Sequence, residues 1–186
     1  MRVSSLPNII STLRILLVPP VVLTMLEQRW GLALPLFLVA GLSDGLDGFL
    51  ARRYHWTSRL GAILDPIGDK LLMVSSYLVL GWLEMLPAWL VVLVILRDVI
   101  IMAGTLLYRF LIGVVEFEPI LLSKINTVCQ ILLITVTLCV LAGVELLTDL
   151  QFLLIYIVLV TTVSSGIAYV VLWGRRAATM KAKSSS

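Results

Sequence analysis

Apolar residues run through the chain in six long stretches separated by short polar breaks, at about 9–27, 31–52, 60–82, 87–110, 123–143 and 149–173. Each approaches the roughly 20 residues that an α-helix needs to cross a hydrocarbon layer. The pattern predicts an all-α membrane protein of six transmembrane helices. In front of the first, Leu6-Pro7-Asn8 leads into Ile9, Ile10, Leu13 and Arg14. This is the opening of a short N-terminal amphipathic segment expected to lie along the headgroups before the chain turns inward. Pro19 and Pro20 are expected to kink or unwind the first span, which is tolerated where neighbouring helices re-satisfy the backbone.

Composition strengthens this reading. Of 186 residues 60% are hydrophobic, and the mean hydropathy is +1.08, beyond what a soluble domain carries. The expectation is one integral membrane domain over residues 1–186, with a polar, disordered cytoplasmic tail at 175–186. The opening Met1 to Leu6 is too short for a cleaved signal peptide, so the first apolar stretch is read as retained.

Charge sets the orientation. An even number of spans puts both termini on one side, and outside the spans Arg29 is the one basic residue at the opposite face. The positive-inside rule then places the termini in the cytoplasm, or in the matrix if the membrane is the mitochondrial inner one rather than a cell inner membrane. The basic face also attracts anionic headgroups. Nucleic acid is excluded as a partner, because a solvated basic domain is missing from this pattern. Cys129 and Cys139 stand ten positions apart on one predicted helix, roughly 15 Å, too far to pair in a disulfide.

Four carboxylates interrupt the second and third spans. Asp44 and Asp47 are three apart and Asp65 and Asp69 four apart, so on helices each pair shares one face. A hairpin folded near Trp56 and Thr57 brings the two pairs level, roughly 7 to 12 Å inward from Arg52 at 1.5 Å per residue. Four carboxylates at that depth need counter-charge. Two divalent cations supply it, and hard oxygen ligands suit magnesium, manganese or calcium. Zinc is disfavoured, since His55 is the one histidine and neither cysteine is near. The competing reading makes these aspartates helix caps or partners of Lys70 and Arg97. Another class, a divalent-cation transporter, would also place acids in a membrane. It has no use for Arg52 or for the bulk-free positions Gly48 and Ala51.

The spacing Asp-x2-Asp-Gly-x2-Ala-Arg-x8-Gly-x3-Asp-x3-Asp, carried by Asp44, Asp47, Gly48, Ala51, Arg52, Gly61, Asp65 and Asp69, resembles the signature of the CDP-alcohol phosphatidyltransferases, with every signature position present. The resemblance implies attack by an acceptor hydroxyl on the phosphorus that bears diacylglycerol in CDP-diacylglycerol, with release of CMP. It implies two metal ions, magnesium or manganese, on Asp44, Asp47, Asp65 and Asp69, with Asp69 also the general base. Pro7, Asn8, Gly48, Ala51, Arg52, Ser58 and Gly61 would form the CDP-diacylglycerol site, and the enzyme would work as a homodimer in the bilayer.

The resemblance further implies a glycerol-containing alcohol as acceptor, with Arg97, Lys124 and Asn126 as its candidate contacts. Arg97 and Asp98 are adjacent opposite charges in an apolar span, expected to point to different sides of the helix, with at least one finding a partner in another span. An anchor for an anionic acceptor and a structural ion pair both fit. In family members that use glycerol 3-phosphate a second basic residue tends to stand where this chain has Asn126. The run Ser123-Lys124-Ile125-Asn126-Thr127 and the triplet Arg97-Asp98-Val99 look more like members that make cardiolipin. Phosphatidylglycerol is therefore the leading acceptor and glycerol 3-phosphate the alternative. In the sixth span Thr161, Thr162, Ser164, Ser165 and Gly166 read as small residues for close helix packing or a dimer seam.

Overall fold

A computed structural model of the chain describes the backbone of residues 6–54, 61–112 and 121–184, and the side chains of residues 15–43, 70–104 and 121–172. Among the described residues the fold is all-helical, in the order α1 (Leu6–Leu26), α2 (Trp30–Tyr54), α3 (Gly61–Trp82), α4 (Ala88–Ile112), α5 (Leu121–Leu141) and α6 (Thr148–Ser184). One turn of 3-10 helix, Glu145–Leu147, leads into α6. Each helix covers one of the six apolar stretches. Among the described residues, two segments, Leu121–Leu141 and Glu145–Leu172, are long and apolar enough to cross a membrane by length and composition.

Three connections share one stop signal. Arg29 N–H donates to the Thr24 carbonyl at 2.9 Å and Gln28 N–H to Met25 at 3.0 Å. The same pair of bonds recurs from Met85 to Leu80 with Glu84 to Gly81, and from Val144 to Cys139 with Gly143 to Val140. This is the Schellman arrangement, which closes a helix on a residue in the left-handed region. That residue is Gln28 (φ 55°), Glu84 (φ 60°) or Gly143 (φ 103°). Glycine takes the conformation freely, whereas the two longer residues hold it at a cost of about 1 kcal/mol each.

Two expectations are adjusted. Of the kink or unwinding expected at Pro19 and Pro20, the unwinding does not occur: α1 stays one helix of 21 residues with both prolines inside it. Each proline removes one donor, from the carbonyls of Ile15 and Leu16. That local loss does not interrupt a helix packed along both α2 and α3. The tail is not irregular either: α6 continues through Arg175 and Arg176 to Ser184. Its alanines, lysines and arginines are good helix formers, and late basic residues suit the negative end of the helix dipole.

The helices form two compact units. The first comprises Met1–Ala88 and Ile134–Gln151. Its buried side chains recur at three- or four-residue spacing: Val21 and Met25 on α1, Ala33, Phe37 and Ala40 on α2, and Met73, Tyr77 and Leu80 on α3. Serines outside that core satisfy themselves on their own helix, Ser43 Oγ donating to the Val39 carbonyl and Ser75 Oγ to Leu71, each at 2.6 Å.

The second unit comprises Trp89–Leu133 and Phe152–Ser186. Leu90, Val91 and Val94 of α4, Leu133 of α5, and Leu154, Ile155 and Val158 of α6 make its apolar core. Along each helix the buried stripe then turns polar without changing face. On α4 it passes to Arg97 and Asp98, on α5 it starts from Asn126 and Gln130, and on α6 it continues through Thr162 and Ser165. The outward faces stay apolar, with Val92, Tyr156 and Val160 exposed.

Candidate active site

The signature lies on two helices. α2 carries Asp44, Asp47, Gly48, Ala51 and Arg52, and α3 carries Gly61, Asp65 and Asp69. Residues 44, 47, 48 and 51 fall on one stripe of α2, and residues 61, 65 and 69 on one stripe of α3. The backbone therefore meets the condition that each carboxylate pair share a helix face, one turn apart. The donor set is all oxygen, which fits a hard divalent cation. The side chains of these residues lie outside the described ones. Pro7 and Asn8 stand in the first turn of α1, their side chains also outside, as is Ser58 entirely. Among the described residues there is no group of three or more His, Cys, Asp or Glu able to hold a metal.

The acceptor candidates fall in the second unit. Arg97 and Asp98 are 6% and 8% exposed, and Arg97 Nη1 donates to Asp98 Oδ1 at 2.7 Å. The expected divergence of these neighbours is corrected: the long guanidinium folds back onto the adjacent carboxylate. It still reaches two other helices, Nη2 donating to Ser123 Oγ on α5 and to Ser165 Oγ on α6, each at 2.6 Å. Buried Nε has no acceptor.

One turn along α5 from Ser123, Asn126 is fully buried. Its Oδ1 accepts from the hydroxyls of Thr161 at 2.8 Å and Thr162 at 2.9 Å, while Nδ2 has no acceptor. Thr161 has one hydroxyl hydrogen and also lies 2.9 Å from the Ile157 carbonyl of its own helix, so Thr162 is the firmer donor. Lys124 is exposed. The structure thus brings Arg97 and Asn126 into one polar layer and leaves Lys124 outside it.

Four residues of that layer had no contact assigned to them from sequence: Ser123, known only as part of the run to Thr127, and Thr161, Thr162 and Ser165, read as small residues for packing. A signal for the last two was present. Residues 154, 158, 162 and 165 follow one helical stripe that starts apolar and ends in hydroxyls. In hydrocarbon, helix pairing gains little from apolar burial, so such hydrogen bonds carry weight, each about 0.5–2 kcal/mol.

The chain belongs to the CDP-alcohol phosphatidyltransferase family, whose model matches residues 4–174. Among its relatives, the cardiolipin synthase (CMP-forming) of Rattus norvegicus is 33% identical over 150 residues, covering 72% of this chain and 50% of the relative. The Homo sapiens protein of the same description is 32% identical over the same coverage. A putative cardiolipin synthase of Mycobacterium tuberculosis (strain ATCC 25618 / H37Rv) is 41% identical over 108 residues, 56% of this chain and 50% of the relative. The chain spans about half the length of these curated relatives.

Proposed function

We propose that this chain is an integral membrane enzyme that transfers the phosphatidyl group of CDP-diacylglycerol to a glycerol hydroxyl of phosphatidylglycerol, releasing CMP and forming cardiolipin. The observation that carries this reading is the complete family signature, held on helical backbone at matching stripes of α2 and α3. The names of the similar proteins support the same reaction and acceptor. Six crossings of the bilayer, with both termini and the carboxylates at its cytoplasmic or matrix side, complete the proposal.

In this reading Asp44, Asp47, Asp65 and Asp69 hold two divalent cations, magnesium or manganese. Bound there, they would neutralise the diphosphate and the charge that develops on the departing phosphate. The acceptor oxygen forms a bond to the phosphorus bearing diacylglycerol, the bond from that phosphorus to the bridging oxygen breaks, and CMP leaves with the electron pair. Asp69 takes the proton of the attacking hydroxyl. Arg52 pairs with diphosphate oxygens. Pro7, Asn8 and Ser58 contact the nucleotide, and Gly48, Ala51 and Gly61 leave room for it.

Charge favours phosphatidylglycerol over glycerol 3-phosphate. Arg97 is already balanced by Asp98 at 2.7 Å, so with Lys124 it offers little net positive charge to a phosphomonoester of nearly two negative charges. A phosphodiester of one charge, arriving anchored in the bilayer, asks for less. Purified protein in vesicles containing CDP-diacylglycerol and magnesium should release CMP and make cardiolipin when phosphatidylglycerol is present. Formation of phosphatidylglycerophosphate from glycerol 3-phosphate, with no cardiolipin, would overturn the acceptor. Absence of CMP release with either would overturn the reaction.

A further inference from the structure

Arg97 spends its polar edge inside the second unit. Nη1 donates to Asp98 Oδ1 at 2.7 Å, and Nη2, which carries two hydrogens, donates to Ser123 Oγ and Ser165 Oγ at 2.6 Å each. The residue is 6% exposed, and Nε has neither an acceptor nor open surface. Asn126 is fully buried and commits Oδ1 to Thr162 at 2.9 Å. These are two rungs of one ladder. They stand three residues apart on α5, at Ser123 and Asn126, and three apart on α6, at Ser165 and Thr162, in opposite chain directions. Lys124 is placed differently. It follows Ser123 in the chain, is exposed, and shares its face of α5 with Leu121, Ile125 and Val128, which are 72%, 45% and 55% exposed. A lysine on such an outward apolar face lays its stem along the helix and carries its ammonium to the headgroups.

We propose that Arg97 is a positioning residue that never touches the acceptor: through Ser123 it fixes the first turn of α5, and so holds the adjacent Lys124 where the ammonium meets the acceptor's phosphate. The inference rests on the reading that the acceptor is a phosphodiester lipid. Access separates the two cations. A phosphate oxygen must come within about 3 Å of a donor, and the guanidinium is bonded to its neighbours or sealed from outside, with its charge balanced by Asp98. Lys124 presents three donors on the exposed face. What remains for Arg97 is geometry. The ends of helices fray, so a bond from α4 to the third residue of α5 restrains the turn from which Lys124 projects. A lysine at position 97 would lack the planar fork that serves Asp98, Ser123 and Ser165 together. Asn126 secures the same helix pair one turn further in.

The test uses the full-length chain in vesicles, with Cys129→Ser and Cys139→Ser and a fluorophore on Ile125→Cys, the exposed position beside Lys124. Spin-labelled phosphatidylglycerol should quench it more than spin-labelled phosphatidylcholine with the same chains, and salt should weaken that preference. Lys124→Gln should abolish the preference and Ser123→Ala lower it. In turnover, Ser123→Ala and Arg97→Lys should each raise the KM for phosphatidylglycerol roughly threefold to tenfold, with kcat and the KM for CDP-diacylglycerol little changed. Ser123→Thr, which keeps the hydroxyl, should restore the KM. Ser123→Ala combined with Arg97→Lys should cost no more than the larger single change, because the same bond is lost only once. Ser75→Ala removes a hydroxyl bonded at 2.6 Å to its own helix and should alter neither reading. A lipid preference kept in Lys124→Gln, a normal KM in Ser123→Ala, or additive losses in the double variant would each overturn the proposal. Should Arg97→Lys not fold, Ser123→Ala and Ser123→Thr decide by themselves. Quenching needs no turnover, so the expected preferences without CMP release would reject the reaction and leave the positioning of Lys124 standing.

Discussion

Arg97 Nη2 and Ser165 Oγ, 68 positions apart in the chain, lie 2.6 Å from each other, both buried. The bond ties α4 to α6, and the same nitrogen reaches Ser123 on α5. One side chain thus fixes three helices at one level. That arrangement suits an arginine and not a lysine, whose ammonium lacks the planar fork.

Removing the α6 hydroxyl should loosen this junction without emptying it. Ser165→Ala is expected to lower stability by about 0.5–2 kcal/mol, seen as a lower unfolding temperature in detergent, and to raise the KM for the acceptor more than it lowers kcat. Ser165→Thr, which keeps a hydroxyl, should recover most of both. Unchanged kinetics in Ser165→Ala would remove Ser165 from any positioning role.

The amide of Asn126 offers a double-mutant cycle. Asn126→Leu strands the Thr162 hydroxyl, whereas Thr161 falls back on the Ile157 carbonyl at 2.9 Å. The single change should cost about 1–3 kcal/mol. Combined with Thr162→Val it should cost less than the sum, by on the order of 0.5 kcal/mol or more. Strict additivity would mean that the two side chains do not depend on each other.

For the carboxylates, Asp44→Asn, Asp47→Asn and Asp65→Asn each remove a ligand charge at almost constant volume. CMP release should fall by at least roughly a hundredfold, with thermal stability close to that of the parent. Chelation of divalent cations should reproduce the loss and added magnesium reverse it. Near-normal turnover in any one variant at modest magnesium would take that residue out of the metal set.

Asp69 is expected to behave differently. As the group that accepts the hydroxyl proton, its replacement in Asp69→Asn should leave CDP-diacylglycerol binding measurable while phosphatidyl transfer stops. Parallel loss of binding and transfer would assign Asp69 to the metals alone.

Much of the fold was legible because each helix announces itself locally. Apolar runs of about twenty residues fix where helices lie, and the observed α1 to α6 cover the six runs. The signature was legible for the same reason: Asp44 and Asp47, or Asp65 and Asp69, need only helical backbone to share a face, and α2 and α3 provide it. Local reading failed where packing overrides propensity. Pro19 and Pro20 sit inside an unbroken α1 held along two neighbours. Basic residues after 174 extend a helix where polarity alone suggested an irregular tail.

The sequence by itself determined which residues bear charge in apolar surroundings, and thereby the family and its carboxylate motif. It did not determine what those charges touch. Adjacent residues on a helix point about 100° apart, and the spacing left an acceptor anchor and a structural ion pair equally open for Arg97 and Asp98; the flexible guanidinium closes the pair at 2.7 Å. Ser123, Asn126, Thr162 and Ser165 could each have faced a neighbour or lipid, since a hydroxyl or amide shows no partner in its own spacing. Only the tertiary structure, by bringing buried faces of α4, α5 and α6 together at one level, decided that these groups bond to one another, because hydrogen bonding depends on distances that helical periodicity does not encode.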